Sequence, residues 1–304
     1  MRLESAFVLF LVMTLASCAT RDSIDLSSKD FHADAQAGVY SVSVKECELM
    51  MERQVVKNNS PIKCNRLKKI VFPYYPLFTE TSNTREVNRE EHLSSMGVLV
   101  VLDIVADEVF SLFNTLYQFQ FPLYQVIPIE YFSEREKLKD DINNSYAFDS
   151  RLITRGTTWS EHAYGVAIDI NPFQNPYFYV GENADALVIP QSAVSQYLNR
   201  AKYRPGKATR FGMAEEVVLE FAKHGFVIWG GDWDRPIDYM HFQVGSRAFI
   251  DKLTSLPVKR AKAWFHAYVV QMNMCLKTAK TIQGFSDQDL ARKFCVEKVT
   301  TAFQ

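Results

Sequence analysis

Excess charge of either sign is missing from this chain. Its 304 residues hold 34 lysines and arginines against 35 aspartates and glutamates, a formal net charge of -1, so no global basic field argues for a nucleic-acid partner. A C-x-x-C pair is missing as well. The five cysteines stand at Cys18, Cys47, Cys64, Cys275 and Cys295, which argues against a thiolate zinc site or a thioredoxin-like redox pair. No internal repeat or low-complexity tract is visible, and the apolar run from Ala6 to Ala16 is too short to span a bilayer. What remains is ordinary globular composition, 47% hydrophobic and 23% charged, with length for a full core.

The first residues read as an export signal: Arg2 is the positive end, Ala6 to Ala16 the apolar stretch, and Leu15-Ala16-Ser17-Cys18 follows at once. Small residues before a cysteine resemble the bacterial lipoprotein cleavage box, which makes Cys18 the expected lipidated residue and a lipid-anchored envelope protein the expected product. Ala19 lacks the aspartate associated with inner-membrane retention, so the periplasmic side of the outer membrane is the expected location. Export permits disulfides. With Cys18 set aside, three pairings of the other four cysteines are possible, and proximity favours Cys47 with Cys64 and Cys275 with Cys295.

The expected organisation is a signal over 1–17, a polar tether over 18–39, a stapled cap over 40–66, a central domain over 67–250 and a helical C-terminal extension over 251–304. Apolar spacing from Leu102 to Tyr117 predicts a helix ended before Pro122, and Tyr124 to Ile129 reads as a strand. Ser133 to Ser150 reads as a long polar loop. Val166 to Ile170, Phe226 to Trp229 and Tyr239 to Val244 read as strands, with a helix over Ala214 to Ala222 closed by Gly225. The sum is an α+β domain: a small antiparallel sheet, flanking helices and helices at the end.

Two segments carry chemistry: S-E-H-A-Y-G-V-A-I-D from Ser160 to Asp169, and G-F-V-I-W-G-G-D-W-D-R-P-I-D-Y-M-H-F from Gly225 to Phe242. A hydrolytic zinc site needs three nitrogen or oxygen ligands and one open position; His162, Asp169 and His241 supply that set. Gly165 lets the chain fold back between the first two, and alternation puts Asp169 on the metal face while Ile168 and Ile170 fill the core. Asp238, expected at the start of the last strand, is the candidate general base. Trp229 and Trp233 fit a packed aromatic turn or a pocket wall. His32, His92, His224 and His266 lack such neighbours, and His224 fits a helix end.

These residues resemble the D-alanyl-D-alanine carboxypeptidases of VanY type and the related phage endolysins that cut L-alanyl-D-glutamate bonds. The pattern S-x-H-x-x-G-x-A-x-D is matched by His162 and Asp169, and the later acid-x-x-His by Asp238 and His241. Further matches are N-N-S-Y-A-F-D-S-R at Asn143 to Arg151, D-I-N-P-F-Q-N-P-Y at Asp169 to Tyr177, and W-G-G-D-W at Trp229 to Trp233. The resemblance runs from about Leu67 to Val244 and implies a hedgehog/DD-peptidase-like fold, a Zn2+ cofactor and peptidoglycan stem peptides as substrate. It further implies that Arg151 contacts substrate or steadies the oxyanion; a structural ion pair is the other use of such an arginine. Ser160, Tyr164, Trp229 and Trp233 are expected as substrate contacts or as support for the ligands. Val166 departs from the family, which often has a basic residue there, and this leaves substrate preference open. The implied activity is D-alanyl-D-alanine carboxypeptidase; L-alanyl-D-glutamate endopeptidase and a non-catalytic wall-binding lipoprotein are the alternatives.

Overall fold

The structure, a computed structural model, describes residues 36–77, 94–133, 142–183, 185–281 and 287–304. The signal, Cys18, nearly all of the tether, His32, His92 and part of the expected 133–150 loop lie outside the described residues.

A first sheet forms where the chain has its densest β-branched and aromatic runs. Strand β1 (Gly38–Ser41) leads into helix α1 (Val44–Glu52), then come β2 (Leu67–Pro76) and β3 (Ser95–Leu102), in the order β1-β2-β3, antiparallel. Helix α1 starts at a reciprocal cap: Ser43 Oγ accepts from Glu46 N at 3.2 Å, and Glu46 Oε2 accepts from Ser43 N at 2.7 Å. Met50, Val55, Val56 and Ile62 of the 40–66 segment join the same core as β2 and β3, and a Cys47–Cys64 disulfide closes that segment.

Helix α2 (Ala106–Gln118) buries Val109, Leu112, Phe113 and Leu116 on one face, and Phe113 packs on Phe72 of β2 with ring centroids 4.3 Å apart. The helix begins four residues later than its apolar spacing suggests. Leu102 closes β3 opposite Leu67, and Asp103 is held by a two-pronged ion pair from Arg66 at 2.8 and 3.0 Å, so the first apolar positions belong to a strand and a turn. No strand forms over Tyr124 to Ile129: the two-residue β4 (Pro122–Leu123), parallel to the end of β2, lies just before it, and Val126 makes only an isolated bridge to Ser145. Ile127 gives its N–H and its carbonyl to the side chain of Asn144, a residue distant in sequence, instead of to a strand, at 3.0 and 2.9 Å.

Two small antiparallel sheets follow. One is β5 (Ala167–Asp169), β10 (His241–Gln243) and β8 (Ile228–Trp229), in that order; the other is β7 (Ala186–Ile189), β6 (Tyr177–Val180) and β9 (Ile237–Asp238). Between them run the short helices α3 (Val194–Tyr197) and α4 (Val218–Lys223). The helix read over Ala214 to Ala222 is split into a tight turn at Ala214–Glu216 and α4. Gly225 follows with φ 85°, and His224 at the helix end bonds Glu108 at 2.9 Å. Asn171 and Asn175, from the D-I-N-P-F-Q-N-P run, fasten the loops. Asn171 bonds Tyr124 N, Pro122 O and Gly212 O, and Asn175 bonds Ile170 O, Gly212 O and Ala214 N. That run is architecture.

The chain ends in α5 (Arg247–Ser255), α6 (Val258–Thr281) and α7 (Gln288–Ala302), with Cys275–Cys295 joining the last two. These helices share the central core: Phe265 and Val269 press on Gly225, and Tyr268 donates to Val244 O at 2.9 Å. Helix α7 also carries Arg292, only 1% exposed, whose guanidinium pairs with Asp232 at 2.8 Å and Asp289 at 2.7 Å. Asp232 belongs to the Trp229–Trp233 run, so the last helix is tied to the loop beside the candidate site. Asp232 and Asp289 stay open to water, their side chains 27% and 53% exposed, so Arg292→Met leaves both carboxylates hydrated and is expected to lower the unfolding free energy by only about 1 kcal/mol in urea denaturation; a loss of about 3 kcal/mol or more would mark the carboxylates as desolvated.

Candidate metal centre

Strands β5 and β10 pair with His241 directly opposite Asp169, and paired residues project to the same face of a sheet. His162 arrives from a turn of tight helix at Glu161–Tyr164, whose N-cap Ser160 accepts from His162 N at 3.4 Å. Gly165 closes that turn with φ 67°, and a Cβ there would stand 2.6 Å from Leu102 N. Only glycine fits both the left-handed backbone and the close approach to β3.

The three predicted ligands converge. His162 Nε2 lies 3.2 Å from Asp169 Oδ1 and 3.2 Å from His241 Nδ1, and His241 Nδ1 lies 3.1 Å from Asp169 Oδ1. All three side chains are buried. A tetrahedral zinc with bonds of roughly 2.0–2.1 Å has ligand-to-ligand edges of about 3.3 Å, so this triangle has the size that such an ion needs. The outward nitrogens fix the tautomers. His162 Nδ1 lies 2.5 Å from Ala147 O, an acceptor, so it carries the hydrogen. Gln243 donates its Nε2 to Gly245 O at 2.7 Å, which turns its Oε1 to His241 Nε2 at 2.9 Å. Both inward nitrogens then face a carboxylate oxygen, an arrangement that calls for positive charge between them, a proton or a metal ion.

The electrostatics agree. Burial by itself would raise the Asp169 carboxyl, but His162 and His241 hold it well below the usual range. Burial would lower His241, yet the bond and charge of Asp169 push it up to about 9. The centre stabilises positive charge.

Asp238 reaches this centre by a different path from the one its sequence position suggests. It does not begin the strand of His241; it lies in β9, paired with Tyr177 of β6, and a turn at Tyr239–Met240 separates the two. Too few residues lie between Asp238 and His241 for one strand to serve both sheets. Gly230 admits it: a Cβ at that glycine would stand 2.4 Å from Asp238 O and 2.9 Å from Asp238 Cβ. Asp238 Oδ1 is shielded from solvent and has no hydrogen-bond partner among the described residues. Burial first, then the charge of Asp169, pushes this carboxyl up to about 7, which suits a group that takes and returns a proton near neutrality.

The segment before His162 lies along β5: Tyr146 pairs with Asp169, N to O at 3.0 Å and O to N at 2.9 Å. The Tyr146 ring stacks on His162 with centroids 5.0 Å apart, and its hydroxyl accepts from Arg151 Nη2 at 3.2 Å. Arg151 also stands 3.8 Å from Asp149, and the charges of Tyr146 and then Asp169 favour its protonated form. Trp233 flanks the centre, its ring 5.5 Å from that of His241. Trp229 packs elsewhere, donating to Tyr239 O at 2.9 Å and stacking on Phe242. The Tyr164 ring lies under the Arg247 guanidinium at 4.5 Å. Gln243 and Tyr146 were not singled out in the sequence. Gln243 was open to discovery, two residues beyond His241 on the same strand face; Tyr146 stood unmarked inside the Asn143–Arg151 run.

A peptidase family model described as D-alanyl-D-alanine carboxypeptidase matches residues 154–244. No curated protein and no solved structure matches the chain at a significant level. The match covers less than a third of the chain, but it spans His162, Asp169, Asp238 and His241 and supports a peptidase centre there; Arg151, Tyr146 and the last three helices lie outside it. Peptidases of this family are zinc-dependent, and the donor set fits zinc. Partners that orient a metal-ligating imidazole are typically worth 10–100-fold in affinity. Gln243→Leu should therefore weaken zinc binding by roughly 10–100-fold in competition with a chromogenic chelator; unchanged affinity would remove Gln243 from the account.

Proposed function

We propose that this protein is a zinc peptidase that hydrolyses peptide bonds in peptidoglycan stem peptides, acting as a D-alanyl-D-alanine carboxypeptidase. The observation that carries the reading is the buried His162, Asp169 and His241 triangle, with edges of 3.1 to 3.2 Å, beside the unpartnered Oδ1 of Asp238. The family match over 154–244 supports the same class of substrate. Export as a lipoprotein, anchored through Cys18, belongs to this proposal and would keep the catalytic centre beside the wall.

Zinc bound by these three residues would supply a Lewis acid for the scissile carbonyl and would ease deprotonation of the attacking water. Asp238 takes that proton and returns it to the leaving amine, a task for a shielded carboxylate whose Oδ1 has no other partner among the described residues. Arg151, held against Tyr146 and close to Asp169 in electrostatic terms, stabilises negative charge that develops on the carbonyl oxygen. Trp233 forms a wall beside His241, and the Ala147 carbonyl and Gln243 keep both imidazoles aimed inward.

The test is digestion of purified muropeptides by the full chain, with and without a chelator, read by mass spectrometry. Loss of the terminal alanine, abolished by chelator, is expected; cleavage between alanine and glutamate would replace the carboxypeptidase by the endopeptidase. Asp238→Ala should lower turnover by on the order of 10²–10⁴-fold with zinc still bound. A chain that binds zinc and cleaves no muropeptide would be a wall-binding protein.

A further inference from the structure

Two arginines converge on one tyrosine of the strand that pairs with Asp238. Arg155 and Arg235 place their guanidinium carbons 5.1 and 5.0 Å from the centroid of one ring, Tyr179, and Arg235 Nη2 donates to the Tyr179 hydroxyl at 3.0 Å. The two charges are therefore no more than about 10 Å apart, at a separation where like charges repel. Among the described residues neither forms an ion pair.

Both come from loops whose ends are site residues. Arg155 sits at the tip of the turn between Arg151 and His162, where Leu152 pairs with Trp159, and it adopts φ 63°, a left-handed backbone rare outside glycine. Arg235 lies between Trp233 and Asp238. A left-handed backbone at a residue other than glycine costs stability, and such costs cluster at functional sites.

The sheet fixes their position relative to the chemistry. Tyr177 of β6 is paired with Asp238 of β9, so both side chains share a face, and Tyr179, two residues on, shares it too. The Tyr177 hydroxyl senses both neighbours: burial and then Asp238 raise its pKa, while Arg155 lowers it. Asp238, Tyr177 and Tyr179 thus form a row that starts at the candidate base and ends at the ring that both guanidiniums approach.

We propose that Arg155 and Arg235, seated on Tyr179, form a carboxylate-binding subsite that holds one carboxylate of the peptide substrate while the bond to be cut lies at Asp238. Guanidinium is the side chain suited to this, since its planar donors match a carboxylate in paired hydrogen bonds, and a bound carboxylate would relieve the repulsion between the two cations. The carboxylate is either the peptide's free C-terminus or the free α-carboxylate of its glutamate. The inference rests on the peptidase reading, and its test separates the two.

The experiment compares three synthetic stem pentapeptides ending in D-alanyl-D-alanine: unmodified, C-terminally amidated, and amidated at the glutamate α-carboxylate. Each is given to the zinc-loaded full chain and to its Arg155→Gln/Arg235→Gln variant, with kcat/KM and calorimetric binding as readouts. A hydrogen-bonded charge is worth about 10–100-fold, so the wild type should prefer the unmodified peptide by roughly that factor over one of the amides. The amide that suffers identifies the carboxylate. In the double variant the preference should collapse to near unity, chiefly through KM, and Arg155→Lys/Arg235→Lys should restore part of it. A double variant that discriminates acid from amide as strongly as the wild type would overturn the subsite. If no peptide is cleaved, the peptidase reading fails, and the same comparison of acid and amide binding, with its loss or persistence in the double variant, still decides the subsite.

Discussion

Register between two short strands governs the site. Because His241 of β10 stands directly opposite Asp169 of β5, an imidazole and a carboxylate are forced onto one face at cross-strand distance. A slip of one residue in either strand would turn its own ligand into the core and bring Ile168 or Phe242 outward. The buried faces on either side, with Ile168, Ile170, Phe242 and Val244 in the core, specify that register through the hydrophobic effect. His162 is then delivered by a turn that can pass β3 only because Gly165 has no side chain.

Around this pairing, separate parts of the chain each add one constraint. The Tyr146 segment lies along β5 and brings Arg151 toward Asp169; β9 brings Asp238 from another sheet, through space left by Gly230. The C-terminal helices act on the same loop from behind, where buried Arg292 grips Asp232 and a disulfide fixes the helix that carries it. A metal centre on short strands needs such support, since three-residue strands supply few ladder bonds of their own.

The three converging side chains were legible because zinc chemistry restricts ligand type and number, and because two glycine-punctuated segments held them all. The α+β class was legible from the mixture of periods. Less could be read where burial erased the pattern: β2 and β3 run nearly continuously apolar, so neither was separated from its surroundings and Leu102 was taken into a helix. Asn144 defeated the strand at Ile127 by a contact between residues 17 apart, which no local rule detects. Asp238 was assigned to the right neighbourhood but the wrong strand, because three residues from His241 in sequence proved to be a change of sheet. Tyr146 and Gln243 act only by holding other groups, and such roles leave little local signature.

The central claim is that three buried side chains from separate stretches enclose a divalent ion. X-ray absorption at the zinc edge of the zinc-loaded full chain, repeated on His162→Ala and His241→Ala, tests it most directly. The account predicts one zinc with two imidazole nitrogens and light oxygen donors in the wild type, and one imidazole fewer in each variant. A zinc shell that keeps both imidazoles in either variant, or that contains sulfur, would contradict it.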